Sequence, residues 1–104
     1  MANQDIRMSG PTLKVLKLLL EKPAGKRSGA EISREAKVGS GTLYPLLVRL
    51  ERAGWLTSEW ELIDPKQAGR PRRRFYRLSG VGYPKALAML AELQIPEGAV
   101  SWNM

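Results

Sequence analysis

The chain has no cysteine and no histidine among its 104 residues. Those two absences exclude disulfides, thiol nucleophiles, imidazole bases and the usual zinc and haem ligand sets together. In what remains, no paired acid and base and no nucleophile beside an activator can be found. No catalytic residue, metal site or cofactor is expected. Long apolar runs are lacking as well: none approaches the roughly 20 residues that span a bilayer, and Met1–Ser9 has no apolar centre of the kind a signal peptide needs. The expectation is a soluble cytoplasmic protein without a membrane partner. Carboxylates are also in short supply, 10 against 17 lysines and arginines, for a net charge of +7.

The excess charge is concentrated. Between Leu62 and Gly80, Lys66, Arg70, Arg72, Arg73, Arg74 and Arg77 face the single carboxylate of Asp64. Such a cluster is a footprint for a polyanion rather than general basicity. With 43% hydrophobic and 26% charged residues the chain is otherwise ordinary for a globular protein. Its length suits one small core, which buries roughly 60–70% of the unfolded chain's surface.

Local signals order the elements. Ser9-Gly10-Pro11-Thr12 opens a helix, since proline is tolerated in a first turn and a hydroxyl can cap free N–H groups. Leu13, Leu16 and Leu20 share one face of it, with Val15 and Leu19 beside them, and Pro23 and Gly25 stop it. Ser28-Gly29-Ala30-Glu31 matches a capping box and starts a short second helix with Ile32 and Ala36 one turn apart. A third follows, with Leu43, Leu46, Leu47 and Leu50 at helical spacing. Pro45 falls in its first turn if Gly41 or Thr42 is the cap, and Gly54 ends it.

From Trp55 to Ile63 the period changes to two, and Arg73–Leu78 reads as the return strand, with Tyr76 and Leu78 facing the same way. The intervening Asp64-Pro65 and Gly69-Arg70-Pro71 make a long basic loop. Ser79 can cap a fourth helix carrying Leu87, Leu90 and Leu93, predicted to be short and to stop near Gln94 before Pro96. Residues 1–94 then form one domain and residues 95–104 a flexible tail. The class is mainly α (α+β): a winged helix-turn-helix of three helices, a two-stranded hairpin wing and the short C-terminal helix.

This order of elements suits double-stranded DNA. The third helix can lie in a major groove while the second spans the backbone. Turning its leucines inward puts Pro45, Val48, Arg49 and Arg52 outward, flanked by Thr42 and Tyr44. Arg49 is the first choice for a base edge, because a guanidinium bonds guanine O6 and N7 together. Ser40, Thr42 and Tyr44 carry hydroxyls near the helix N-terminus, where phosphate is favoured. In the loop, Lys66, Arg70, Arg72, Arg73 and Arg74 suit the sugar-phosphate backbone or a minor groove, and Pro71 stiffens the turn.

Plainer readings stand beside these. The leucine stripe is core. Arg52, Lys14 and Lys17 suit a solvated helix face. Tyr44 fits a core edge as well as it fits DNA, and Arg77 can pair with Glu59 or Glu61 across the hairpin. Trp55 and Trp60, with Trp102, could line a pocket, although structural aromatics are the better reading.

At these residues the chain resembles the PadR-type transcriptional regulators. The resemblance is carried by Gly41-Thr42-Leu43-Tyr44-Pro45-Leu46-Leu47, Arg49-Leu50-Glu51, Gly54-Trp55-Leu56, and Gly69-Arg70-Pro71-Arg72 through Tyr76-Arg77-Leu78-Ser79, and it covers about Thr12 to Leu90. It implies a bacterial-type repressor binding an inverted repeat as a dimer. Tyr44 would then lie near the DNA backbone, and Arg70 and Arg72 near the minor groove. It also implies phenolic or drug-like effectors for some members. The family's long C-terminal dimer helix is not expected here, which leaves the first helix and Leu87, Met89, Leu90 and Leu93 as homodimer candidates. Two other functions fit the same charge: a non-specific or RNA-directed binder, and a winged-helix protein-interaction module.

Overall fold

The computed structural model describes residue 6 and residues 9–103, with side chains as far as Glu92. Its elements are α1 (Gly10–Glu21), β1 (Arg27–Ser28), α2 (Gly29–Ala36), α3 (Ser40–Arg52), β2 (Leu56–Trp60), α4 (Pro65–Ala68), β3 (Arg74–Leu78) and α5 (Gly82–Asn103). The strands form one antiparallel sheet in the order β1-β3-β2. This is a winged helix, with β1 and α4 added to the elements expected from the sequence.

The helix starts follow the local chemistry. The Ser9 hydroxyl accepts from the Thr12 N–H at 3.3 Å, and Pro11 sits in the first turn of α1. At α2 both halves of the capping box form: Ser28 Oγ accepts from the Glu31 N–H at 3.1 Å, and Glu31 Oε1 accepts from the Ser28 N–H at 2.8 Å. Three expectations need correction. In α1 the deeply buried face is Val15, Leu16, Leu18 and Leu19, with Leu13 and Leu20 at its edge.

The cap of α3 is Gly39, so Pro45 lies inside the helix and not in its first turn. The helix accommodates it on its exposed side, where water can meet the Gly41 carbonyl that Pro45, lacking an N–H, leaves without its usual donor. The last helix is not short: α5 runs 22 residues through Pro96 to Asn103. An interior proline removes one hydrogen bond and costs about 3 kcal/mol, which a long helix can absorb where a short one cannot. Met104 lies outside the described residues.

Three helices and the sheet enclose one core. Val15, Leu16, Leu19, Ile32, Leu43, Leu47 and Leu50 are its most buried large side chains, and Trp55, Leu56, Tyr76, Leu78, Ala86 and Leu90 close it from the sheet and α5. The β2–β3 register pairs Leu56 with Leu78, Ser58 with Tyr76 and Trp60 with Arg74. Burial therefore fades along the hairpin, from Leu56 in the core to Trp60 at the outer end, 56% exposed. α5 begins hard against the turn between α3 and β2. A Cβ on Gly82 would stand 2.0 Å from the Trp55 carbonyl oxygen, so only glycine permits that approach. Among the described residues, no helix is long and apolar enough to cross a membrane.

Candidate nucleic-acid interface

Burial of the α3 leucines fixes what the helix shows to solvent. Ser40, Thr42, Tyr44, Pro45, Val48, Arg49 and Arg52 are all exposed. Tyr44 is also held in place. Its ring crosses the start of α2 so closely that a Cβ on Gly29 would lie 2.6 Å from the hydroxyl oxygen and 2.7 Å from the ring. A Cβ at residue 29 would oblige that ring to shift, so glycine is what lets Tyr44 take this seat. Tyr44 is thus a side chain packed on the start of α2 with its outer part in water, 43% exposed, as the core-edge reading expects.

The wing is ordered by its few carboxylates. Glu61 grips the Arg70 guanidinium with both oxygens, at 2.8 Å each, and Oε1 also accepts the Arg73 N–H at 3.1 Å. α4 stands inside the loop, capped by Asp64 and ended by Gly69 at φ 72°, a left-handed conformation that favours glycine. Arg72 donates from Nε to the Ile63 carbonyl at 3.0 Å, leaving its two terminal nitrogens directed elsewhere. Arg74 stacks on Trp60, its guanidinium 4.8 Å from the ring centre, and lies 3.9 Å from Glu51 of α3. Glu51 in turn accepts from the Ser58 hydroxyl at 2.5 Å, so one carboxylate joins α3 to both strands of the wing.

The basic cluster therefore divides. Arg70 and Arg74 are half-buried and engaged with acids, whereas Lys66, Arg72 and Arg73 present exposed cations. The cross-strand pair suggested for Arg77 does not form, because Glu59 takes Lys26 at 2.6 Å and Glu61 takes Arg70; Arg77 stands opposite Thr57. Sequence reasoning missed Glu61, Glu51, Trp60 and Gly29 as organisers of this surface. For Glu61 a signal existed: with Asp64 it is one of two carboxylates just before a loop of like charges that repel one another.

Helix and wing face the same space. A cleft of about 230 Å³ is lined by Ser28, Gly29 and Ala30 of the α2 start, Tyr44 of α3, Tyr76 of β3 and the run Arg72, Arg73 and Arg74. A second, more open hollow lies under the wing, between Trp60, Leu62, Ile63, Pro65 and Pro71. Trp55 is buried in the core, so it shares no pocket with Trp60; the Trp102 side chain lies outside the described residues. Among the residues considered for a dimer, Leu87 is exposed, Met89 packs against the core and Leu90 belongs to it, while the Leu93 side chain is outside those described.

The Glu61 clasp makes the wing's order depend on acid. The Arg70 hydrogen bond, helped by the Arg73 N–H and by both positive charges, outweighs burial and brings the Glu61 carboxyl down to about 2 from 4.5. A lowered carboxyl stabilises the folded form above its unfolded value, and that contribution is lost as pH falls from about 4.5 towards 2. A carbon-13 NMR titration of Glu61 is expected to show a midpoint near 2; one at 4.5 would mean that the clasp does not form in solution. At neutral pH, Glu61→Gln should speed tryptic cleavage after Arg72 and Arg73 several-fold, with little change in the melting temperature of the core.

Comparison with known proteins places the architecture. The sequence model of the transcriptional regulator PadR-like family matches residues 15–86. No curated protein matches the chain. Among solved structures, the transcriptional regulator PA4135 superposes with a TM-score of 0.73 over 93% of this chain and 65% of that one, at 15% identity. Overoxidized AbfR bound to DNA gives 0.62 over 80% of this chain and 55% of that one, at 25% identity. NadR in complex with 4-hydroxyphenylacetate gives 0.69 over 88% and 60%, at 22% identity. The chain thus spans slightly less than two thirds of the length of PA4135 and a smaller share of the other two.

Proposed function

The chain belongs to the PadR-like family of transcriptional regulators, and from that premise we propose that it is a repressor that binds an inverted-repeat operator as a homodimer. A regulator of this family acts by binding DNA and is not an enzyme. The observation that supports the finer reading is the shared cleft: Tyr44, on the flank of the exposed α3 face, lines one space with the free wing arginines Arg72 and Arg73, as a single duplex-binding surface requires. In this reading α3 enters the major groove with Arg49 on a base edge, and Ser40, Thr42 and Tyr44 hold the adjacent backbone. Lys66, Arg72 and Arg73 follow the backbone or minor groove, while Arg70 and Arg74 shape the wing. Pro45 lines the approach. The DNA-binding unit is residues 1–94, with α5 continuing past it to Asn103, acting in a bacterial-type cytoplasm.

Two-fold pairing follows from specificity. One protomer offers few base contacts, each worth about 1–3 kcal/mol of discrimination, and two linked half-sites add theirs. The exposed Leu87 of α5, with Val81 and Tyr83 nearby, supplies an apolar patch for that pairing. Selection of bound duplexes from a random pool tests the whole proposal. An enriched inverted repeat, favoured over unrelated sequence by at least about a thousandfold, is expected. Equal affinity for every sequence would favour the non-specific binder, and sedimentation as a strict monomer both on and off DNA would remove the dimer.

A further inference from the structure

Val48 is an exposed aliphatic residue of the α3 face that neither packing nor charge accounts for. It is 46% exposed, yet a β-branched aliphatic in a solvated helix position is a poorer helix former than alanine, lysine or glutamate and gains little from burial. At 100° per residue, Gly41, Pro45, Val48 and Arg52 gather at the centre of the face opposite the buried Leu43, Leu46, Leu47 and Leu50. The middle of the helix surface is therefore a short apolar strip of Gly41, Pro45 and Val48, which ends at Arg52 and has Arg49 along one border. Tyr44, one turn before Val48, does not close over it, because its ring is drawn across to the Gly29 main chain on the wing side.

We propose that Val48 reads thymine by its 5-methyl group, so that each half-site carries a thymine whose methyl meets this strip. The inference rests on the reading of α3 as the helix that enters the major groove. In that groove the bases present hydrogen-bond donors, acceptors and a single apolar feature, the thymine methyl. An isopropyl group has nothing to donate or accept. Set against adenine N6, cytosine N4 or guanine O6, it would strip water from a polar edge without replacing the lost hydrogen bond. Against the methyl it buries two apolar groups at no such cost. The flanking arginines, with Arg72 and Arg73 across the cleft, make a polyanion the fitting occupant of this face, in preference to another protein.

Uracil tests this directly, since it differs from thymine only by the missing methyl. Sites selected by the full chain are resynthesised with uracil at each thymine in turn. For the wild type, one thymine per half-site is expected to lose about fourfold in affinity on replacement, the factor that one buried methyl-sized group confers, with other positions unchanged. Val48→Ala should bind the thymine site about as weakly as the wild type binds the uracil site, and should no longer distinguish the two. Because the side chain is half in water and alanine is the better helix former, the variant is expected to fold as the wild type does. A selected site with no uracil-sensitive thymine, or a sensitivity that persists in Val48→Ala, overturns the assignment of Val48 while leaving DNA reading by α3 in place. A pool that yields no enriched sequence overturns that reading itself.

Discussion

Replacing Arg72 and Arg73 together by alanine is expected to weaken binding to operator and unrelated duplex alike, by about 30-fold per wing at 0.15 M salt. The figure follows from counterion release. Each neutralised phosphate contributes about −0.9 to the slope of log K against log salt, which is roughly a fivefold gain at 0.15 M relative to 1 M, and two contacts multiply. The slope itself should flatten by about 1.8 for each wing that docks. Both side chains are exposed, and Arg72 makes a single hydrogen bond to a loop carbonyl, so the melting temperature should hold. Arg49→Ala makes the contrast: it should relax preference at one position of each half-site and change the salt slope by much less. If both variants lost affinity equally on every sequence, the division between base reading and phosphate attraction would be wrong.

The largest effect on stability is expected at Gly82. An alanine there would set its Cβ 2.0 Å from the Trp55 carbonyl oxygen and 2.6 Å from two further main-chain atoms. Overpacking among side chains costs about 1–3 kcal/mol because side chains can turn aside; main chain on both sides cannot. A loss of at least about 3 kcal/mol is expected, a large part of the 5–15 kcal/mol that holds a domain together. The melting temperature should then fall by roughly 12–24 °C. Gly80→Ala is the control, since a Cβ at that position meets nothing within 4 Å. Equal melting curves for the two variants would mean that α5 does not start against Trp55 in solution.

What could be read from the sequence was local. The leucine spacing of α3 and the Ser28–Glu31 box are set by residues a turn or two apart, and both appear as expected. β1 escaped notice because two residues have no period, and it exists only because β3 offers Phe75 and Tyr76 as partners. α4 was hidden in a basic loop, although Asp64-Pro65 and Gly69 are its cap, first turn and stop. Pro96 was read as a terminator by a rule that weighs one residue and not the length of helix around it.

At the candidate interface the arginine cluster was legible as charge. Its split into free and engaged members was not, because the engaging groups reach it only through strand register: Trp60 lies opposite Arg74, and the Glu61 N–H bonds the Arg73 carbonyl. The role of Gly29 required the position of a tyrosine fifteen residues further along the chain.

The Glu51 carboxylate ties the third helix to the hairpin through Ser58 and Arg74, and that tie has a geometric consequence for any duplex seated on both. The tie restrains the span from helix to wing, which acts as a gauge that a double helix seated on both must match or bend to. Steps that deform easily, and tracts whose minor groove is already narrow, meet such a gauge at lower elastic cost. Discrimination then extends to base pairs lying between the two points of contact, which no side chain touches.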